Sequence, residues 1–376
     1  MTITLADPTG PFAVGATTFT LPVPPRRIGS SNVRTKSSTK LEPALLLDEV
    51  TFTAFYPTSP RPSKQYRKAL NWLPRQLCTH LASSGKVVLA LEHHDGTGPF
   101  FQARFRSPEG AGAQNKLYIQ PEDVVWDKGA QPEDSNMALR AEQLEFRRRE
   151  VYTAYRAFRG LVDDGERGAL QSIDGPAVDW ESWKGIARCD DNIALAGHSF
   201  GGATVFDILS NPPPDDDGDD DASSLPISHA LALDPWLEPI PSPGPQPLSS
   251  ARVRHPKMLV INSEGFTLWK EHFDRLQDIV RAWDGGRLLT FVGARHVSFS
   301  DYFVLLPPPL RKASAYPMLH SVSTVAQAFL DDALDDALQL LTLRKMEMRW
   351  VQLSRWCGRK TRKRKLVGDT GDVVVH

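Results

Sequence analysis

The residues best suited to covalent chemistry are Gly197-His198-Ser199-Phe200-Gly201, a GxSxG pentapeptide. It lies between an apolar run, IALA at 193–196, and the helix-forming stretch GGATVFDIL. That context predicts a strand, a sharp turn and a helix, with the serine hydroxyl pushed out at the helix N-terminus. The glycines permit a strained turn and close packing. Backbone N–H groups at the helix start, that of Phe200 first, can stabilise a developing oxyanion. This is the equipment for nucleophilic attack on an acyl carbonyl.

A serine hydroxyl becomes a useful nucleophile only when an imidazole takes its proton, and a carboxylate must hold that imidazole in the right tautomer. Of the ten histidines, His296 follows the apolar run LLTFV and a short glycine-containing turn, the place of a late general base. The acid must lie between Ser199 and His296. Asp234 ends the run LALD and Glu264 ends VINSE, and position alone leaves both open; either could instead be a loop or helix-capping carboxylate.

Two other features compete for attention. His93, His94 and Asp95 in LEHHDG carry metal-ligating side chains. Adjacent residues of a strand point to opposite faces and no third ligand has suitable spacing, so no metal and no cofactor are expected there. His198, inside the pentapeptide, is expected to pack beside the nucleophile.

The elements that must position these residues follow from periodicity. Residues 12–22 and 50–56 are rich in β-branched and aromatic residues between Pro and Gly, as short strands are. Residues 76–84 read as a helix and VVLALE (87–92) as a buried strand ending in a polar loop. Residues 136–164 have the spacing of a long amphipathic helix whose charges form a solvated face. HALAL, KMLVINSEG (257–265) and 287–302 supply further strands, with a helix around 269–284 and helical spacing over 322–350. The alternation implies an α/β class with a mostly parallel sheet and helices on both faces.

Composition narrows the partners. A net charge of −1 gives no reason to invoke nucleic acid. Three cysteines without CxxC spacing indicate neither a disulfide framework nor a zinc site, and the start MTITLADPTGPF lacks a basic and apolar leader, so a cytoplasmic location is expected. The acidic loop 211–223 and the basic run GRKTRKRK (358–365) read as solvated, disordered segments. The expected organisation is one domain over 10–345 and a disordered basic tail over 346–376, with anionic lipid a minor reading of that tail.

The segments AGHSFGGAT, ALALDPWLEP, VINSEGF and HVSFSDY, with GPFAVGATTFTLPV, FYPTS and LEHHDGTGP, resemble the platelet-activating factor acetylhydrolase family, plasma and intracellular type II, in order over about residues 10–305. The resemblance implies an α/β-hydrolase fold, with Ser199 as nucleophile, Asp234 as orienting acid, His296 as general base and Phe200 N–H in the oxyanion hole. It makes Glu264 structural. It implies calcium-independent hydrolysis of short or oxidised sn-2 acyl esters of phospholipids, with transient contact with a membrane surface.

One part of the family pattern is missing. A strand and a His-Gly loop that donates the second oxyanion N–H should precede the LASxG helix. Here ALNWLPR runs straight into QLCTHLASSG, so one central strand and its oxyanion loop are read as deleted between Arg75 and Gln76. The rival readings are a general carboxylesterase, a thioesterase or triacylglycerol lipase, and a catalytically impaired paralogue that binds lipid or a partner.

Overall fold

A computed structural model of the chain describes residues 10–34, 41–58, 75–98, 100–102, 115–173, 179–215, 223–246, 255–306, 309–354 and 360–376. The N-terminal half is built on β1 (Ala13–Arg27), followed by β2 (Ser31–Arg34), β3 (Leu41–Pro43) and β4 (Leu46–Thr58). β1 and β4 pair antiparallel from Ala13↔Thr58 to Pro22↔Glu49, placing Phe19 opposite Phe52 in the core. Next come α1 (Arg75–Ser83), β5 (Val88–Glu92), β6 (Phe100–Gln102), β7 (Asn115–Leu117), β8 (Val124–Trp126) and α2 (Ser135–Asp163), then β9 (Gln171–Ser172). Asp134 caps α2, accepting from the N–H groups of Asn136 and Met137.

The C-terminal half runs β10 (Ile193–His198), α3 (Phe200–Ser210), β11 (Ile227–Leu233), β12 (Lys257–Ser263), α4 (Glu264–Thr267), α5 (Lys270–Ala282), β13 (Arg287–Phe291) and α6 (Tyr302–Leu305). α7 (Ala315–Leu330), α8 (Leu334–Gln339), β14 (Leu343–Arg344), β15 (Met348–Ser354), β16 (Lys360–Leu366) and β17 (Val373–Val375) complete it. β10, β11, β12 and β13 are parallel neighbours, and β17 adds antiparallel to β13. β11 and β12 read as nearly continuous apolar runs because helices cover both of their faces. Leu231, Leu259, Ile261 and Phe291 face α1, α7 and α8, while Ala230, Ala232, Val260 and Leu288 face α3 and α5. This is an α/β-hydrolase fold, parallel in its C-terminal half.

The sheet is interrupted. β9, β1, β4 and β5 form one antiparallel sheet that ends at β5, and the parallel sheet begins at β10. Two helices span both. On one face α2 packs Phe146, Phe158 and Leu161 with the first sheet, and Leu144 and Tyr152 with α3 and the second. On the other, α1 packs Cys78 and Ala82 against Phe55 and Ala90, and Leu77 and Leu81 against Leu231 and Phe291. Among the described residues no strand pairs with the outer edge of β5 or of β10. β10 is correspondingly half-buried where β11 and β12 are buried.

Three expectations need correction. The helical spacing over 322–350 gives helices that start earlier and stop at Gln339; residues 348–354 are strand, because each gains a cross-strand partner on 360–366. The described part of the basic tail is ordered rather than disordered: β17 buries Val373 and Val374 completely against β13 and Leu366 packs beside Val292. The α2 charges are not all solvated, since Arg140, Arg147 and Glu150 are buried, with the neutral Gln143 among them. Residues 216–222 of the acidic loop, and 69–74 beside the inferred deletion, lie outside the described residues. Among the described residues no helix is long and apolar enough to cross a membrane.

Candidate active site

Ser199 sits between β10 and α3 with φ 59° and ψ −117°, a conformation an L-residue holds only when its surroundings impose it. Its N–H donates to Leu233 O at 2.9 Å, and its carbonyl accepts from Ala203 N and Trp236 N at 3.1 Å each. Two glycines make that turn possible. A Cβ at Gly197 would meet Gly201 O at 2.1 Å, and one at Gly202 would meet Pro235 Cα at 2.8 Å. A Cβ at Gly201 would meet nothing within 4 Å, so the tight packing against β11's end falls to Gly202, one residue past the pentapeptide.

The structure brings the three predicted residues into one line. His296 Nε2 lies 2.8 Å from Ser199 Oγ, and His296 Nδ1 lies 3.0 Å from Asp234 Oδ2. A carboxylate only accepts, so Nδ1 carries the proton and Nε2 is left to accept from the serine. Asp234 is fully buried at φ +43°, and its Oδ1 accepts from Ser263 N at 2.5 Å. The carboxylate is thus held by two donors, one on either side. Distance separates the two candidate acids: Glu264 accepts from Gly293 N through Oε2 at 2.8 Å and donates its own N–H to Ala294 O, tying down the turn before His296.

His296 is clamped from both flanks. The Phe266 ring stacks on it, 4.8 Å between centroids and 3° from parallel, and the His198 ring lies 4.6 Å away. His198 Nε2–H donates to His296 O at 2.9 Å. Burial, then the neighbouring His296, pushes the His198 imidazole down to about 4, so it stays neutral and packs, as its place in the pentapeptide suggested. Phe200 N–H, at the first position of α3, has no acceptor within its own helix and is available to an oxyanion.

Behind Phe200 lies a buried polar group that sequence reasoning missed. Asp95 accepts from Arg147 Nε at 2.6 Å and from the backbone N and hydroxyl of Thr97, while Gln143 Nε2 donates to Asp95 O at 2.8 Å. Burial works against the Asp95 carboxylate, but Arg147 and His93 hold its pKa below the usual range. His93 Nδ1 lies 2.6 Å from Glu150 Oε2, whose other oxygen accepts from His94 N. Burial drives Glu150 up to about 8 and His93 down to about 3, so around neutral pH this pair is uncharged. The LEHHDG loop therefore turns its polar groups to α2 rather than to a shared centre. The available signal was the spacing of Arg140, Gln143, Arg147 and Glu150, which puts all four on one helical face.

Comparison with known proteins gives a consistent placement. The family model for platelet-activating factor acetylhydrolase, isoform II, matches residues 25–318, more than three quarters of the chain. Platelet-activating factor acetylhydrolases of Gallus gallus, Canis lupus familiaris and Bos taurus are 24%, 28% and 29% identical over 226, 228 and 225 residues. Those regions cover 60%, 59% and 59% of this chain, but only 48%, 43% and 43% of the relatives, so the match spans less than half of their length. A solved ferulic acid esterase from Streptomyces cinnamoneus aligns over 88% of this chain and 93% of its own at 18% identity and a TM-score of 0.45. On the extent of the family match, this chain belongs to the platelet-activating factor acetylhydrolase family of the isoform II kind.

Proposed function

We propose that this chain is a serine esterase that hydrolyses the sn-2 acyl ester, acetyl, short or oxidised, of platelet-activating-factor-like phospholipids. The observation that carries the reading is the hydrogen-bonded line Ser199 Oγ, His296 Nε2, His296 Nδ1, Asp234 Oδ2 at a strained strand-to-helix turn. Family membership supplies the substrate class. The Ser199 hydroxyl gives its proton to His296 as it attacks the carbonyl carbon, and the oxyanion is received by Phe200 N–H. His296 then protonates the departing lysophospholipid alkoxide and activates the water that releases the acyl group. Asp234 stabilises the imidazolium throughout. These steps run through side chains and backbone alone, so calcium has no part in them. We place the protein in the cytoplasm, working at lipid surfaces.

The interrupted sheet favours one alternative. The strand and loop read as deleted between Arg75 and Gln76 would fall at the junction where, among the described residues, neither β5 nor β10 has an outer neighbour, which supports a deletion that removes the second oxyanion donor. An impaired paralogue would keep fold and pocket yet turn over slowly or not at all.

Fluorophosphonate labelling of the purified chain beside Ser199→Ala, followed by hydrolysis of a short sn-2 acyl phospholipid, tests the proposal. Labelling confined to the wild type, with turnover, is the expected result. A folded protein that neither labels nor turns over replaces the esterase with the impaired paralogue, and equal rates on simple acetate esters and phospholipids would make it a general carboxylesterase.

A further inference from the structure

The part of the chain beyond the family match carries its densest positive charge. The described residues 345–354 and 360–366 contain Lys345, Arg349, Lys360, Arg362, Lys363, Arg364 and Lys365 against a single acid, Glu347. β15 and β16 pair these residues into a two-stranded ribbon, with Arg349 opposite Lys365, Trp350 opposite Arg364 and Val351 opposite Lys363. Alternation puts Arg349, Lys363 and Lys365 on one face. Like charges placed opposite each other destabilise a pair of strands, so an arrangement that concentrates them calls for a counter-charge.

The ribbon is anchored beside the candidate active site. Arg364 Nη2 donates to Leu268 O at 3.3 Å, and Leu366 packs with Val292 and Leu268. Leu268 is two residues from Phe266, whose ring stacks on His296, and its neighbour Trp269 is 43% exposed. The cationic face continues onto the rim. After partial burial, the charges of Arg295 and Lys365 lower the Lys312 pKa, which places the three cations together, and Arg295 is the exposed residue just before His296. The ribbon's other face carries Arg362 and Arg364 together with Met348 and Trp350, which are 53% and 66% exposed. Cations on both faces with an exposed indole among them are the composition of elements that lie at a lipid headgroup boundary.

We propose that the β15–β16 ribbon, with Arg295 and Lys312, is a docking surface for anionic phospholipid bilayers, which brings the rim of the His296 site down onto the lipid. Juxtamembrane cations gain from the negative surface potential of such a bilayer. The continuity of the patch with the rim of an acyl-ester site and the exposed Trp350 favour a bilayer over nucleic acid. The proposal rests on the esterase reading for its purpose, though not for its geometry.

The test is sedimentation of the full chain with sucrose-loaded vesicles of phosphatidylcholine alone and of phosphatidylcholine with about a third phosphatidylserine. The protein should bind the anionic vesicles, and most but not all of that binding should be lost at high salt. Arg349→Gln/Lys363→Gln/Lys365→Gln should bind about a hundredfold more weakly, at roughly fivefold per cation. Trp350→Ser should lose the portion of binding that survives high salt. Ser199→Ala should bind like the wild type, and the triple variant should hydrolyse a soluble short-chain ester at the wild-type rate, which shows it folded. Equal binding to neutral vesicles, unchanged binding by the triple variant, or displacement by an equimolar DNA duplex would overturn the proposal. Loss of soluble-ester hydrolysis in a wild type that still binds vesicles would overturn the esterase reading alone.

Discussion

The Arg147 guanidinium lies 4.5 Å from the centre of the Phe200 ring, one residue from Ser199, while its Nε donates to the buried Asp95 carboxylate and its Nη2 to Thr97 Oγ1. Trp236 closes on the same ring from 5.7 Å. Phe200, whose N–H is proposed to receive the oxyanion, is thus held through its side chain by a buried ion pair between α2 and the loop after β5. Through Phe200, that loop is tied to the turn that carries Ser199.

Arg147→Met tests this relationship. Removing one partner of a buried pair leaves Asp95 without compensation, a cost of about 3–5 kcal/mol. Chemical denaturation should show that loss, and Asp95→Asn added to Arg147→Met should recover most of it. The rate should not recover with it. Misplacement of Phe200 should lower kcat on a soluble ester by roughly tenfold to a hundredfold in both variants. A double variant with wild-type kcat would mean that the pair serves stability only.

The two strand-end acids should separate cleanly by kinetics. Asp234→Asn keeps the shape but accepts poorly from His296 Nδ1–H and upsets the tautomer, for a fall in kcat of about 10⁴. Glu264→Gln keeps an oxygen able to accept from Gly293 N, so kcat should stay within roughly tenfold. The reverse ranking would reassign the acid.

Much of this site was readable in advance, for physical reasons that are particular. The turn at Ser199 needs small residues at fixed offsets, and His296 lies a short glycine-containing turn beyond an apolar strand, so local pattern located these two and left Asp234 and Glu264, each after an apolar strand, as candidate acids. The preference for Asp234 over Glu264 came from the resemblance of LDPW to a family motif, since both carboxylates end strands; the structure separates them by which one reaches His296. The α2 polar face was hidden because a charge on an amphipathic helix is ordinarily solvated, and only tertiary partners such as Asp95 and His93 pull Arg147 and Glu150 inside. The tail misled for the converse reason. Its composition is that of a disordered segment, but the edge of β13 offers Val373–Val375 a ladder, and long-range pairing outweighs composition.

Glu150 gives stability a pH dependence whose sign is fixed. Its folded pKa, about 8, lies above the ordinary 4.5, so its contribution is full below 4.5 and is lost as pH rises towards 8. His93 acts oppositely: its folded value of about 3 lies below 6.5, so stability is lost as pH falls from 6.5 towards 3. From these two groups stability should be flat between 4.5 and 6.5 and decline on either side. Glu150→Gln preserves an acceptor for His94 N and removes the alkaline decline, so its advantage over wild type in denaturation midpoint should grow from pH 4.5 to 8 and then level off. A gap that does not change with pH would show that Glu150 titrates in the folded protein where it does in the unfolded chain.

The junction between β5 and β10 yields the last prediction. Among the described residues both strands end their sheets there, while α1 and α2 carry the core across on opposite faces. A parallel strand inserted between Arg75 and Gln76, followed by a His-Gly loop, would have an edge to pair with on each side and would bring a second N–H to the oxyanion. Hydrogen bonds gained along two edges should raise the denaturation midpoint, and the added donor should raise kcat by about 10²–10³. Stability rising without kcat would show that Phe200 N–H already has a working companion. If the inserted chain is folded but no more stable or active than the parent, β5 and β10 are true ends of their sheets, and the deletion idea fails.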